Sequence, residues 1–222
     1  MRKHAALALA FTFAIPGLAA ASGTRPLPTN NAPPATPEQE AAEYFNDGVS
    51  HRDKADTLEK EAIAEKDPAK QTKLLERSKS QHEASIKKYK KAVAKDIRLF
   101  QAWGSLGYAF RKIGNYPAAL EAYDKALALQ SNYTPAIEYR AEAYLGLNRL
   151  QEVKAAYMML FNVDRARADE LASAMQRWVE RRRSDAAGVD PVTFDEFTKW
   201  VTERKQLSSQ TSALTDPNSP RW

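Results

Sequence analysis

Large and small apolar residues recur at helical spacing through the middle of the chain. Over residues 100–113, Trp103, Leu106, Gly107, Phe110 and Ile113 follow the i, i+3, i+4, i+7 rule of one buried helix face. Over residues 116–129 a second stripe follows, built from Ala119, Leu120, Tyr123, Ala126 and Leu127. Between them, Gly114-Asn115-Tyr116-Pro117 supplies a helix stop, a residue tolerant of unusual backbone angles and a proline suited to opening the next helix. Gly107 and Ala119 are small where the two stripes meet, which predicts a close approach of the helix axes.

One period later the frame returns as Ile137, Arg140, Ala141 and Tyr144, then Val153, Tyr157 and Leu160. Thr134-Pro135 is placed to cap and start a helix, and Gly146-Leu147-Asn148 to turn the chain. Neither hairpin can bury its apolar faces alone, so stacking is the expected solution. The order Trp103-x-x-Leu106-Gly107-x-x-Phe110, then Ala119, Tyr123 and Ala126, resembles the tetratricopeptide repeat (TPR), a helix-turn-helix unit of about 34 residues. The resemblance implies an all-α fold. It predicts a TPR-like right-handed α-solenoid of about three repeats, closed by a C-terminal capping helix pair. The two clear copies span residues 98–132 and 133–166.

The flanks depart from that pattern. Counting back one period, Tyr89 and Ala92 take the places of Tyr123 and Ala126, while Tyr44 and Gly48 take those of Trp103 and Gly107. About 25 extra residues separate these halves, by comparison with the standard repeat length. Residues 38–97 therefore read as a divergent first repeat with a lengthened, protruding hairpin of helices 38–66 and 68–95. Asp67 is placed to cap its second helix and Pro68 to open it. In the capping segment, 167–207, Leu171, Ala174, Met175, Trp178 and Val179 form one helical face, and Phe194, Phe197, Trp200 and Val201 another. The polar stretch 208–222 and the Pro-rich stretch 22–37 are expected to be disordered, the latter as a linker that ends at a helix start capped by Thr36.

Residues 1–21 have the layout of a secretory signal peptide: Arg2 and Lys3, an apolar run from Ala5 to Ile15, and Ala19-Ala20-Ala21 before Ser22. The run is short for a membrane span, although an uncleaved anchor stays open as an alternative. The expected location is the bacterial periplasm. Loss of Arg2 and Lys3 with the signal would lower the formal net charge from +5 to +3, too mild a balance to argue for nucleic acid. The sequence contains no cysteine, which excludes disulfides, thiolate metal sites, a cysteine nucleophile and a lipoprotein anchor.

Candidate chemistry is sparse. His4, His51 and His82 form no metal or catalytic spacing, and no nucleophile triad, phosphate loop or nucleotide fingerprint is present. No catalytic, cofactor-binding or metal-ligating residue is assigned, and a non-enzymatic role is expected. Two basic clusters remain, Lys87, Lys88, Lys90 and Lys91, and Arg177, Arg181, Arg182 and Arg183. The second ends a helix, where cations favour the dipole.

The resemblance also implies where a ligand goes. TPR proteins usually bind peptides on a concave face lined by the first helix of each repeat. The corresponding residues are Gln101, Tyr108, Arg111 and Lys112, then Glu138, Glu142 and Leu145, with Phe45 and Arg52 extending the groove. Relatives that clamp a peptide carboxylate use Lys and Asn at such positions. Tyr108, Glu138 and Glu142 stand there instead, so a peptide or loop suits the surface better than a free carboxylate. The expected function is an adaptor of the cell envelope with a protein or peptide partner, no nucleic acid, and at most peripheral membrane contact. Contact of the basic clusters with anionic lipid or cell-wall polymer is the alternative. A lid or capping accessory to a periplasmic enzyme is a third. Arg111 and Glu142 are also spaced to pair with each other between repeats.

Overall fold

The computed structural model of the chain describes residues 34–184 and 188–215, which form eight α-helices. These are α1 (Pro37–Ala64), α2 (Pro68–Lys95), α3 (Phe100–Lys112), α4 (Tyr116–Leu129), α5 (Thr134–Gly146), α6 (Leu150–Val163), α7 (Arg165–Ser184) and α8 (Pro191–Thr215). Consecutive helices pair as α1/α2, α3/α4, α5/α6 and α7/α8, and each pair packs on the next. The odd-numbered helices also meet one another, α1 with α3, α3 with α5 and α5 with α7, so they lie side by side along one face. This is the all-α, TPR-like solenoid.

Local sequence fixes where the helices begin. Thr36 and Gln39 exchange side-chain and backbone hydrogen bonds in a capping box, and Pro37 occupies the first turn of α1. Asp67 accepts from the backbone N–H groups of Ala69 and Lys70 at the start of α2, and Asn115 accepts from that of Ala118 at the start of α4. The expected cap at Thr134 takes another form. Tyr133 is the capping residue of α5, and the Thr134 hydroxyl instead donates to Asp164 at 2.7 Å, tying the start of α5 to the α6–α7 junction. In the α3–α4 turn the left-handed residue is Gly114 (φ 80°), and in the α5–α6 turn Asn148 (φ 58°) does the same job.

Three tyrosines form the spine of the stack. Tyr89, Tyr123 and Tyr157 are 34 residues apart and fully buried. Each rides on the even-numbered helix of its repeat, and opposite Tyr89 and Tyr123 the odd-numbered helix offers a glycine. At Gly107 a Cβ would come within 2.6 Å of Cε1 of Tyr123, and Gly48 makes the same approach to Tyr89. The close approach expected at Gly107 is therefore present but is made to the Tyr123 ring, and the first repeat uses the same device despite its altered length. Beyond the repeats, Trp178 and Phe197 meet edge to face at 5.4 Å, and Trp200 meets Tyr157 at 5.4 Å, so α8 covers the end of the core.

Some boundaries differ from expectation. Helix α1 ends at Ala64 rather than at residue 66, because Glu65 turns into extended backbone ahead of the Asp67 cap. Helix α8 continues to Thr215, into the polar stretch expected to be disordered. The expected signal peptide, residues 22–33 of the linker and residues 216–222 lie outside the described residues.

Candidate functional site

The expected groove residues separate into three groups. Phe45 belongs to the packing of the first repeat, its ring 5.8 Å from that of Tyr89. Arg52 donates to its chain neighbour Asp53 at 2.8 Å, and Gln101 is exposed on α3. The other five, Tyr108, Arg111, Lys112, Glu138 and Glu142, all lie where odd-numbered helices meet, and every one is engaged within the chain.

These engagements run from helix to helix. The Tyr108 hydroxyl on α3 donates to Asp56 on α1 at 2.8 Å, and the Tyr108 ring packs edge-on against Tyr139 on α5. Burial, then the Asp56 charge, pushes the Tyr108 phenol above its ordinary pKa. Tyr108 is thus half-buried, not the exposed aromatic that the sequence pattern implied. Arg111 pairs with Glu142 across the repeat boundary, its guanidinium 5.2 Å from the rings of both Tyr108 and Tyr139. Burial disfavours the Arg111 charge, but Glu142 and the neighbouring tyrosines outweigh it and hold the pKa above the ordinary value. Glu138 pairs with Arg167 on α7 at 2.6 Å.

A further cluster escaped sequence reasoning. His82, on α2, is buried and its Nε2 faces two α1 carboxylates, Glu59 at 3.1 Å and Asp56 at 3.9 Å. The lack of a metal or catalytic spacing around His82 in the sequence hid these partners, which are 23 and 26 residues away on the antiparallel helix. The ligand atoms of Asp56, Glu59 and His82 lie within 4.8 Å of one another, a set able in principle to hold a metal ion. The Lys112 ammonium pairs with Glu59, however, and supplies the positive charge that an ion would bring. The Nδ1 of His82 has no hydrogen-bond partner, so nothing orients the ring as metal-ligating histidines usually require. The cluster fits a neutralised structural network better than a metal centre. Burial raises the Glu59 pKa, but hydrogen bonds from His82 and Lys112 outweigh it and hold the carboxyl at about 2.

Where this network ends, a recess of about 820 Å³ opens among α1, α3, α5 and α7. Arg111, Lys112 and Glu142 form part of its wall, and so does Leu145. Arg177, Arg181 and Arg182, read from sequence as a helix-end cluster with lipid or cell-wall polymer as the alternative contact, form another part. The Lys cluster lies elsewhere. Lys88 pairs with Asp47 at 2.6 Å, and Lys90 and Lys91 sit over the rings of Phe110 and Tyr44.

Paired helices, a glycine under two of the buried tyrosines and side-by-side odd-numbered helices define a helical repeat protein. The tetratricopeptide repeat family model matches residues 100–133, the α3/α4 hairpin and the turn after it, so the chain carries a tetratricopeptide repeat there. No curated protein matches the chain.

Proposed function

We propose that the chain is a non-enzymatic adaptor of the bacterial cell envelope that holds a segment of a partner protein against its odd-numbered helices. Tetratricopeptide repeats generally mediate protein–protein interaction, and their fold is typically non-catalytic. The observation that carries the finer reading is the recess among α1, α3, α5 and α7, whose volume lies in the range of binding pockets and whose wall mixes apolar and charged side chains. The charged residues of this face are held by cross-helix pairs, so the surface is rigid before a partner arrives.

The test is photo-crosslinking in living cells. A photoreactive residue replaces the exposed Gln101 or Arg177 on the odd-numbered helices, or the exposed Leu129 or Met159 on the even-numbered ones. The first two positions are expected to yield one common protein adduct. Adducts from Leu129 and Met159 alone would place the working surface on the other helices and overturn this reading.

A further inference from the structure

Among the described residues no helix precedes α1, so the outer side of the α1/α2 hairpin is the open end of the stack, while α8 covers the other end. Asp56 and Glu59 of α1 reach α3 through Tyr108 and Lys112. Lys54, Thr57 and Glu61 each stand two residues from one of them, about 200° around the helix, and so face away from α3. A groove of about 830 Å³ runs along this outer side between α1 and α2. A terminal repeat needs a polar outer face for solubility, and the exposed Asn46, Ser50 and Thr57 meet that need. A groove with Val49 and Leu58 in its wall goes beyond it.

The lining of this groove is balanced in charge, Lys54 and Arg77 against Asp53 and Glu61. Asp53 is paired with its neighbour Arg52 and is still 61% exposed, which leaves room for a second cation. Ser78 of α2 donates to Glu59, so its neighbour Arg77 stands near the level of Glu61 on the facing helix. Along α1 the lining falls at positions 46, 49, 50 and 53, then at 54, 57, 58 and 61. That spacing reads the same in both directions, as any helical stripe does, and the side chains on it decide what fits. A second α1 can lie antiparallel about a two-fold axis between residues 53 and 54, and Lys54 of each copy then faces Asp53 of the other. In the same register Val49 faces Leu58, Ser50 faces Thr57 and Asn46 faces Glu61, each pair occurring twice. No like charges meet on the stripe. A parallel arrangement would instead set Lys54 against Lys54 and Asp53 against Asp53.

We infer that this face binds a second copy of the chain, through antiparallel contact of the two α1 helices. The contact stripe from Asn46 to Glu61 is about 23 Å long and mostly polar, so the dimer belongs with the small, transient interfaces. A balanced face does not repel its own copy, and it offers no surplus positive charge to an anionic lipid surface. The inference is independent of the adaptor reading, because Gln101 and Arg177, which test that reading, lie on α3 and α7.

Sedimentation velocity of the full chain, from micromolar to near-millimolar concentration, is expected to show a monomer–dimer equilibrium. Lys54→Glu and Asp53→Lys should each weaken it at least tenfold, because each sets two like-charged pairs across the axis. Mixed together, the two variants should associate as readily as the parent chain, since every facing pair is again opposite in charge. Melting temperatures should stay nearly unchanged, as both side chains are exposed. The sequence holds no cysteine, so Ser50→Cys and Thr57→Cys report the register. Oxidation should join one variant to the other far faster than either to itself, because each residue lies about 10 Å along the helix from its own copy. A parent chain that stays monomeric over the whole range overturns the inference. So does a dimer that survives both charge reversals, or a mixture of the two variants that stays monomeric. A photoreactive residue in place of Thr57 that joins a monomeric chain to a different protein in cells assigns the groove to that partner, and a chain that dimerises only after residues 22–33 are removed assigns it to the linker. Either result overturns the inference, and neither bears on the adaptor reading, which stands or falls on the crosslinks from Gln101 and Arg177.

Discussion

Arg111 of α3 and Glu142 of α5 form an ion pair across the boundary between two repeats, with side chains only 14% and 18% exposed. The pair joins elements that share no hairpin, so it couples neighbouring units of the stack. A buried pair loses most when one partner is removed, because the other charge stays desolvated and unpaired. Glu142→Ala is therefore expected to cost on the order of 3 kcal/mol, and the double change with Arg111→Ala less than the sum of the two singles. Chemical denaturation of the four proteins in a double-mutant cycle measures this. Strict additivity would mean that the pair contributes nothing between repeats.

The contact of Gly107 with Tyr123 makes a sharper packing test. A Cβ at residue 107 would come 2.6 Å from a ring that is fully buried and has no room to retreat. Gly107→Leu should cost about 3 kcal/mol, at the upper end of the usual overpacking penalty. Thermal melting followed by circular dichroism reads the loss. Lys87→Leu, on the exposed side of α2, serves as the control and should shift stability by no more than about half a kcal/mol.

Where helical period and turn chemistry act locally, the sequence was a good guide. The Thr36 and Asp67 caps, the Tyr89–Tyr123–Tyr157 spacing and the small residues beneath two of those rings all depend on residues close in the chain or one period apart. Contacts set by the stacking of helices were hidden. His82 needed Glu59 and Asp56 from an antiparallel helix, and Tyr108 found Asp56, 52 residues away. Arg177, Arg181 and Arg182 were visible as a cluster, but helix-dipole compensation offered a sufficient local explanation. Only the packing of α7 on α5 puts them beside Arg111 and Lys112. Tyr108 read as a groove surface because its partner Asp56 lies in another repeat, whereas the pair of Arg111 with Glu142 between repeats was already legible in their spacing. Changing Tyr108 and Glu142 together should lower the melting temperature as well as affect binding.

Glu59 gives the fold a dependence on acid. Its folded pKa of about 2 lies below the ordinary value of 4.5, so folding favours the ionised form. The sign follows from linkage: the stabilisation is fully present above about pH 4.5 and is lost as pH falls through about 2. With Glu59 only partly screened by solvent, this amounts to about 2 kcal/mol. Glu59→Gln should reduce stability at neutral pH by that order and flatten the decline between pH 4.5 and 2. Urea midpoints across that range test it, and an unchanged acid slope in the variant would assign the acid sensitivity to other carboxylates.

Export is the remaining proposal, and it rests on the order of residues in the first 21 positions. Arg2 and Lys3 precede the apolar run, and small residues at Ala19, Ala20 and Ala21 suit signal peptidase, which requires short side chains near the cut. Cleavage there leaves Ser22, 15 residues before the first helix begins at Pro37, so processing removes nothing from the helical body. Mass spectrometry of the protein purified from its native envelope fraction is expected to find Ser22, or a residue within about two of it, at the N-terminus. No helix of the described residues is long and apolar enough to cross a membrane. Intact Met1 on protein recovered from the membrane would replace the signal peptide with an anchor. Intact Met1 on soluble cytosolic protein would defeat export altogether.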